Sequence, residues 1–379
     1  MRLEPGPEHR ALRDAVREVA ESTVKRFAAE VDRDHRFPRE AVEAVTALGL
    51  MGMLVPAEYG GAALDHLALT ICIEELARAC ASTAVVVDVH NSVATEPLVL
   101  FGTEDQKRRW LPVLASGERL GAFALTEPGS GSDAASLETT ARRRGQEWVL
   151  TGRKVFITNV GEAGLYVVFA RTGPPGSRAG GISAFIVPAE SDGLKVGQVF
   201  QKMGLNGSPT GELVLEEVRV PADALLDFEG RGFRIAMRAL DSGRIGISGQ
   251  ALGVAAAALE ETVQHLKSRA ADGASAPSQG ASFMLADMAT RLLAGRQLAY
   301  IAASLCSAGR PFTQEASMAK LFCTDAAMEI VGEALQLAET EGAAEGSPFS
   351  RHFRDAKALQ IYEGSNQVQR VVIARQLLS

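Results

Sequence analysis

Apolar positions recur at helical spacing through most of the first 117 residues. Ala11, Leu12, Val16, Val19 and Ala20 are separated by charges, and residues 67–79 read as a buried helix carrying Glu74 and Glu75. Thr103 followed by Gln106 is a capping-box start, with Trp110, Leu111 and Leu114 as the apolar face behind it. Near Gly121 the period shortens. Runs at 148–150, 155–157, 165–170, 182–187 and 212–220 are β-branched or aromatic, and turn clusters separate them. Several short strands in one stretch predict a small barrel or sandwich. After Gly230 the helical period returns, over 233–266, 283–308, a third run from about Pro311 to Leu337, and 365–378. The polar stretch 270–280 and the acidic, glycine-rich stretch 339–350 read as loops. The expected fold is mainly α with a β insert: a helical domain over 1–120, a central β domain over 121–228 and a four-helix bundle over 229–379.

The composition leaves this picture intact and removes some functions. The 379 residues are 46% hydrophobic and 22% charged, with a formal net charge of -7. No basic stripe with interleaved aromatics appears, so no nucleic-acid partner is expected. The six histidines show no metal-ligand spacing, and no metal is expected. Cys72, Cys80, Cys306 and Cys323 lie scattered in apolar helical runs with no CxxC pair, which suits buried thiols in a reducing compartment. The N-terminus lacks the apolar run of a signal peptide, and no uninterrupted apolar stretch reaches membrane length. A cytoplasmic protein without a membrane partner is expected.

Four strings could carry chemistry. Glu363 stands between Tyr362 and Gly364, just before the last helical pattern. A glycine lets backbone approach a ligand, and an aromatic neighbour can shield a carboxylate and raise its pKa toward that of a useful base. Thr126-Glu127-Pro128-Gly129-Ser130-Gly131-Ser132-Asp133 combines small residues and hydroxyls that can meet a polar ring edge or a phosphate. Its glycine spacing is neither Rossmann nor Walker. Phe156 and Thr158, two apart in a strand, point to one side and could pack on and hydrogen-bond a planar cofactor. Asp241-Ser242-Gly243-Arg244 reads as the opening of the long bundle helix, where an arginine gains nothing from the helix dipole. Taken singly, each string also reads as ordinary: a surface Glu, a plain turn, a core Phe with an edge Thr, a solvated Arg.

Taken in order, the strings 123–133, 154–159, 202–220, 241–253, 283–290 and 354–364 resemble the acyl-CoA dehydrogenase family over essentially the whole chain, most closely its short-chain, butyryl-type branch. The resemblance implies FAD between the β domain and the bundle. It implies removal of the α-proton of an acyl thioester by a carboxylate while the β-hydrogen leaves as hydride to the flavin. Glu363 matches the base. Two sub-lineages place the base near the start of the long bundle helix, where this chain has Gly243. Phe123, Leu125, Thr126, Phe156 and Thr158 match flavin contacts. Ser132 matches a position near the FAD pyrophosphate and the substrate. Asp241, Arg244, Tyr362 and Gly364 match the substrate site. Ser365, Asn366 and Gln367 match contacts to FAD from the last helix, and Arg269, Gln279 and Gln336 match its adenosine side. The resemblance also implies an electron-transferring flavoprotein as oxidant and a homotetramer or homodimer. An acyl carrier protein thioester is the alternative to acyl-CoA, and a flavin-poor, non-catalytic family member is a lesser one.

Two stretches depart from the family pattern. Where it has Arg-x-x-Phe-Gly, an ungapped match puts Ser268 and Ala271, and a one-residue shift puts Arg269, Asp272 and Gly273; the aromatic is missing either way. Where it has paired glycines after Gln336, this chain has Glu339 and Thr340, followed by Glu341. Carboxylates beside a pyrophosphate repel it, which implies a weaker hold on the adenosine half.

Overall fold

The computed structural model describes residues 4–174, 176–271 and 278–378. Seven helices come first: α1 Pro7–Val19, α2 Lys25–Asp34, α3 Arg39–Ala47, α4 His66–Ala79, α5 Ala81–Asp88, α6 Glu96–Phe101 and α7 Glu104–Ala115. α1 runs into α2 through the π turn Ala20–Val24, and α5 into α6 through the π turn Val89–Thr95. Val16, Val24, Val45, Met51, Leu69, Ile73 and Leu76 close the core between them. The expected capping box is present: the Gln106 amide donates to Thr103 Oγ1 at 3.3 Å, and Gln106 Oε1 accepts from the Thr103 amide at 2.9 Å. Gln106 Nε2 also donates to the carbonyls of Asp223 and Leu225, which ties α7 to the β layer.

One helix bears on the expectation that no uninterrupted apolar stretch reaches membrane length. Ala81–Phe101 is continuous, 21 residues long and has a mean hydropathy of 1.2, enough by length and composition to cross a membrane. Of its most apolar 18-residue window 83% is buried within the protein, and it carries Asp88, His90 and Glu96, so it reads as a core helix.

The β layer is one eight-stranded sheet: β1 Leu120–Ala124, β2 Thr140–Arg144, β3 Glu147–Thr158, β4 Ala163–Arg171, β5 Ile182–Pro188, β6 Leu194–Val199, β7 Thr210–Pro221 and β8 Leu225–Leu226. The order is β6-β7-β3-β2-β4-β5-β8, with β1 parallel to β4. Successive residues face opposite sides. Trp148, Tyr166, Phe185 and Leu213 fill one face; Val167, Phe169 and Ile186 fill the other against Leu111, Leu114 and Ile235.

Six helices follow: α8 Gly232–Ala271, α9 Gln279–Ser307, α10 Thr313–Leu337, α11 Glu339–Ala343, α12 Pro348–Leu359 and α13 Asn366–Leu378. Two readings change here. Part of the expected 339–350 loop is helical, since α11 occupies it and α12 begins inside it. α12 itself buries Phe349, His352, Asp355, Ala356 and Leu359 at helical spacing. The 270–280 loop falls largely on residues outside the described ones; Ala271 ends α8 and Gln279 begins α9, capped by Ser278. α4 packs closely on α8 at two glycines. A Cβ on Gly249 would lie 2.6 Å from the Thr70 carbonyl oxygen, and one on Gly253 would strike that of Glu74. Glu74 in turn accepts from Arg296 at 2.7 Å and Tyr300 at 3.0 Å on α9.

Candidate active site

Glu363 sits in the short connection between α12 and α13. Both Glu363 (φ 51°) and Gly364 (φ 85°) are left-handed. Only glycine takes that conformation freely, so the glutamate is held there by its surroundings. Lys320 Nζ, on α10, donates to the Gly364 carbonyl at 3.0 Å and to Asn366 Oδ1 at 2.9 Å. Gln369 Nε2 donates to the same carbonyl at 2.7 Å. On the far side, the α12 backbone packs against Gly204, and Asp355 Oδ1 accepts from the Leu205 amide at 2.6 Å. Arg354 pairs with Asp32, with one contact at 2.9 Å, so α12 is fixed to the N-terminal layer as well.

The Glu363 residue keeps some solvent contact, but its Oε2 is buried and has no hydrogen-bond partner. It lies over Gly243 of α8, where a Cβ would overlap it. Burial raises the carboxyl pKa to about 7; Arg244 and Lys320 pull it down without cancelling the rise. Arg244 is buried, donates to Asp241 Oδ1 at 2.5 Å, and stands 3.9 Å from a Cβ built on Gly364. Thr313 Oγ1 donates to Asp241 Oδ2 at 2.6 Å. The sequence reading put Asp241 and Arg244 in the opening of the long helix. α8 in fact begins at Gly232, so both lie in its interior and face the site. The Tyr362 hydroxyl donates to Gln250 Oε1.

Across the site, Phe123 and Tyr362 pack on one small cluster, Val85, Val89, Val93 and Ala239. That cluster joins β1 to the Glu363 turn. Leu125 and Thr126 follow β1, and their loop is pinned by a buried pair: Lys154 Nζ donates to Glu127 Oε1 at 2.7 Å and to the Leu125 carbonyl at 3.0 Å. The Val155 amide donates to the Thr126 carbonyl at 2.9 Å, which sets Phe156 and Thr158 beside that loop. Phe156 is not in a regular strand. A register shift falls between Lys154 and Ile157, Phe156 has φ 58°, and the residue is 65% exposed, with its ring against Phe200. A bulge re-aims a side chain out of the sheet, and here it presents an aromatic face.

Ser132 is exposed in the loop. Asn366 is buried and its side chain is engaged with Lys320, Thr324 and Asp325 inside the bundle. Ser365 Oγ accepts from the Val368 amide at 3.4 Å, and Gln367 is exposed. Gln279, Gln336 and Arg269 are exposed, away from Glu363 along the bundle helices. Arg269 Nη1 lies 3.0 Å from Glu339 Oε2, and His265 lies 3.5 Å from Glu341. Asp272 and Gly273 lie outside the described residues. Sequence reasoning missed Lys320 and Asp88. Lys320 sits in a helix with no motif around it, and only its burial marks it.

Three family models match in succession: the acyl-CoA dehydrogenase N-terminal domain over residues 6–118, the middle domain over 122–218 and the C-terminal domain over 230–378. The short-chain specific acyl-CoA dehydrogenase of Bos taurus mitochondria is 46% identical over 98% of this chain and 90% of its own. The chain belongs to the acyl-CoA dehydrogenase family. It is therefore an acyl-CoA dehydrogenase-type oxidoreductase, of the class that acts on CH–CH donors. The butyryl-CoA dehydrogenase structure from Megasphaera elsdenii covers both chains fully, with 38% identity and a TM-score of 0.97. A chain in the structure of the electron transferring flavoprotein of Acidaminococcus fermentans matches equally fully, with 40% identity and a TM-score of 0.96.

For the flavoprotein chemistry of this family, the residues here fit one half of FAD better than the other. The bulged Phe156 face, the pinned 125–130 loop and the orphaned Glu363 Oε2 suit a planar ring with a reacting substrate. On the adenosine side, Arg269 is already paired with Glu339. A further cluster, His66, Glu96 and Cys306, has its ligand atoms within 4.8 Å of one another. Arg238 Nη2 occupies it, 2.9 Å from Glu96 Oε1 and 3.5 Å from Cys306 Sγ. His66, despite its burial, is pushed up to about 10 by hydrogen bonds to Cys306 and Glu96. A protonated imidazole and a resident guanidinium make this an ion-pair network that ties α4 and α6 to α8.

Proposed function

We propose that this chain dehydrogenates the Cα–Cβ bond of a short-chain acyl thioester with FAD, Glu363 taking the α-proton. The observation that carries the reading is Glu363 Oε2: a buried, unpartnered carboxylate oxygen aimed into the space that Gly243 leaves free. A base works best with its pKa near the working pH, and burial brings this one to about 7. Arg244 and Lys320 keep a share of it ionised. Lys320 also fixes the turn through the Gly364 carbonyl; burial lowers its own pKa to about 7, so it aims the base throughout and tunes it while it holds its proton.

FAD, when bound, supplies the acceptor for the β-hydrogen as hydride. Phe123, Leu125, Thr126, Phe156 and Thr158 would hold its ring, and Ser132, Ser365 and Gln367 its phosphate side, with Asn366 reaching FAD only through its backbone because its side chain is engaged in the bundle. Asp241, Arg244, Tyr362 and Gly364 would line the thioester site. Arg269, Gln279 and Gln336 would meet the adenosine half, with Arg269 weakened by Glu339. The carrier is coenzyme A in this reading; a carrier protein presents the same pantetheine arm. An electron-transferring flavoprotein is the proposed oxidant. Copies of the chain would associate through the exposed apolar residues Phe283, Leu293 and Ile301 on α9 and Val371 and Leu377 on α13. The proposed domain divisions are at 120 and 228, a reading supported by the nearby α7–β1 and β8–α8 connections. The four buried, unpaired cysteines accord with a cytoplasmic setting.

The test is an absorbance spectrum with added FAD, followed by anaerobic titration with a short acyl thioester. Flavin bleaching is expected. Glu363→Gln should bind FAD and thioester but lose turnover by about 10²–10⁴-fold. A fully active Glu363→Gln would overturn the assignment of the base.

A further inference from the structure

Asp88 ends α5 where the helix widens into the π turn Val89–Thr95. It is fully buried, and neither carboxyl oxygen has a hydrogen-bond donor. The nearby Ser92 hydroxyl donates instead to the Asp88 backbone carbonyl, at 2.8 Å. Its place is defined by α8: a Cβ on Gly246 would overlap Asp88 Oδ1 and lie 2.5 Å from Oδ2. A Cβ on Gly243 would overlap Glu363 Oε2 and lie 2.9 Å from Val93 Cγ1. Positions 243 and 246 are three apart on one helix face, where Cβ positions stand about 5–6 Å apart. The unpartnered Oε2 of Glu363 and the unpartnered carboxyl group of Asp88 therefore lie one helical turn apart. The apolar side chains beside them are Val85, Val89, Val93 and Ala239, with Phe123 and Tyr362, and the polar groups acting on Asp88 are Glu363, Ser92 and Glu96.

An acyl chain whose α-carbon meets Glu363 has this apolar seam beside it, with Asp88 as its polar feature one turn away. An unsubstituted alkyl chain leaves both Asp88 oxygens without a partner, a costly state for a buried polar group. A chain carrying a hydroxyl satisfies them. Burial, and then the charge of Glu363, hold Asp88 well above the usual carboxylate range. A neutral carboxyl both donates and accepts, which suits a hydroxyl in particular.

We propose that Asp88 is a specificity residue that recognises a hydroxyl on the acyl chain, so that the preferred substrate is a short hydroxyacyl thioester rather than plain butyryl. This rests on the reading of Glu363 as the base. A hydroxyl on C4 stands a few ångströms from C2, within the span between the two carboxyl groups. Sites built to bond a substrate hydroxyl reject the analogue that lacks it, because the site's own polar groups are left unpaired.

The test compares calorimetric affinities of 4-hydroxybutyryl-pantetheine and butyryl-pantetheine for the FAD-loaded protein. The hydroxylated thioester is expected to bind at least ~10-fold tighter. Asp88→Ala should abolish that preference, and Asp88→Asn, which keeps shape and hydrogen bonding, should retain most of it. Equal affinities in the unmodified protein overturn the proposal, and that comparison needs no variant to fold. A preference that survives Asp88→Ala in a folded variant overturns it too. Anaerobic bleaching in the same samples reports on the dehydrogenase reading separately. Preference without bleaching leaves Asp88 recognition standing and removes the dehydrogenation; bleaching with equal affinities does the reverse.

Discussion

Gly243 and Glu363 are fitted to each other: a methyl group on residue 243 would overlap the carboxylate oxygen Oε2 of residue 363. The absence of a side chain on α8 is what gives the base its room.

Gly243→Ala should therefore displace the Glu363 carboxylate while leaving the flavin contacts in place. A misplacement near 1 Å costs about 10²-fold in rate. The expected result is a kcat reduced by that order with an unchanged flavin spectrum and a near-normal melting temperature. Unimpaired kcat in a folded Gly243→Ala would separate the carboxylate from the chemistry.

The rate should depend on pH through the same group. The base acts when ionised, so kcat is expected to rise with pH through about 7 and level off above it. Lys320 helps to hold Glu363 ionised, so Lys320→Met should move the midpoint to higher pH. A steady-state pH profile of both proteins checks the direction. A structural role alone for Lys320 would lower the plateau without moving the midpoint.

Lys154 and Glu127 form a buried pair under the 125–130 loop. Removing one partner strands the other, at a cost of about 3–5 kcal/mol. Lys154→Met is expected to lower the unfolding free energy by that order in denaturant titration. The double variant Lys154→Met, Glu127→Gln should recover part of the loss. If the double variant is no more stable than the single, the two charges are not coupled.

Arg269 and Glu339 are partners at the exposed end of the bundle. If Glu339 draws Arg269 away from a pyrophosphate, Glu339→Gly should tighten FAD binding by roughly two- to fivefold, the scale of a surface ion pair. Fluorescence titration of the apoprotein with FAD measures it. Unchanged or weaker binding would show that Arg269 takes no part in holding the cofactor.

Much of the architecture was legible because periodicity reports it. The switch near Gly121 and the return after Gly230 mark where helices give way to strands and resume. The Thr103–Gln106 capping box was readable to the atom. α12 was missed because its glycine-rich, acidic approach masks the buried stripe from Phe349 to Leu359. The bulge at Phe156 was missed because strand alternation assumes a regular register. In the site, Glu363 was visible from its string, but its turn's dependence on Lys320 and its neighbour Asp88 were not. Both are single polar residues within helical runs, and only packing shows that they converge on residues far away in sequence.

The nearness of Asp88 to Glu363 has a thermodynamic corollary. Two acids one turn apart in an apolar seam cannot both ionise cheaply. The Asp88–Glu363 pair therefore retains a proton, which Asp88 carries. An acyl chain that enters takes water away from both acids and makes ionising either of them costlier. Thioester binding should then be accompanied by net proton exchange, visible as a binding enthalpy that changes with the ionisation enthalpy of the buffer.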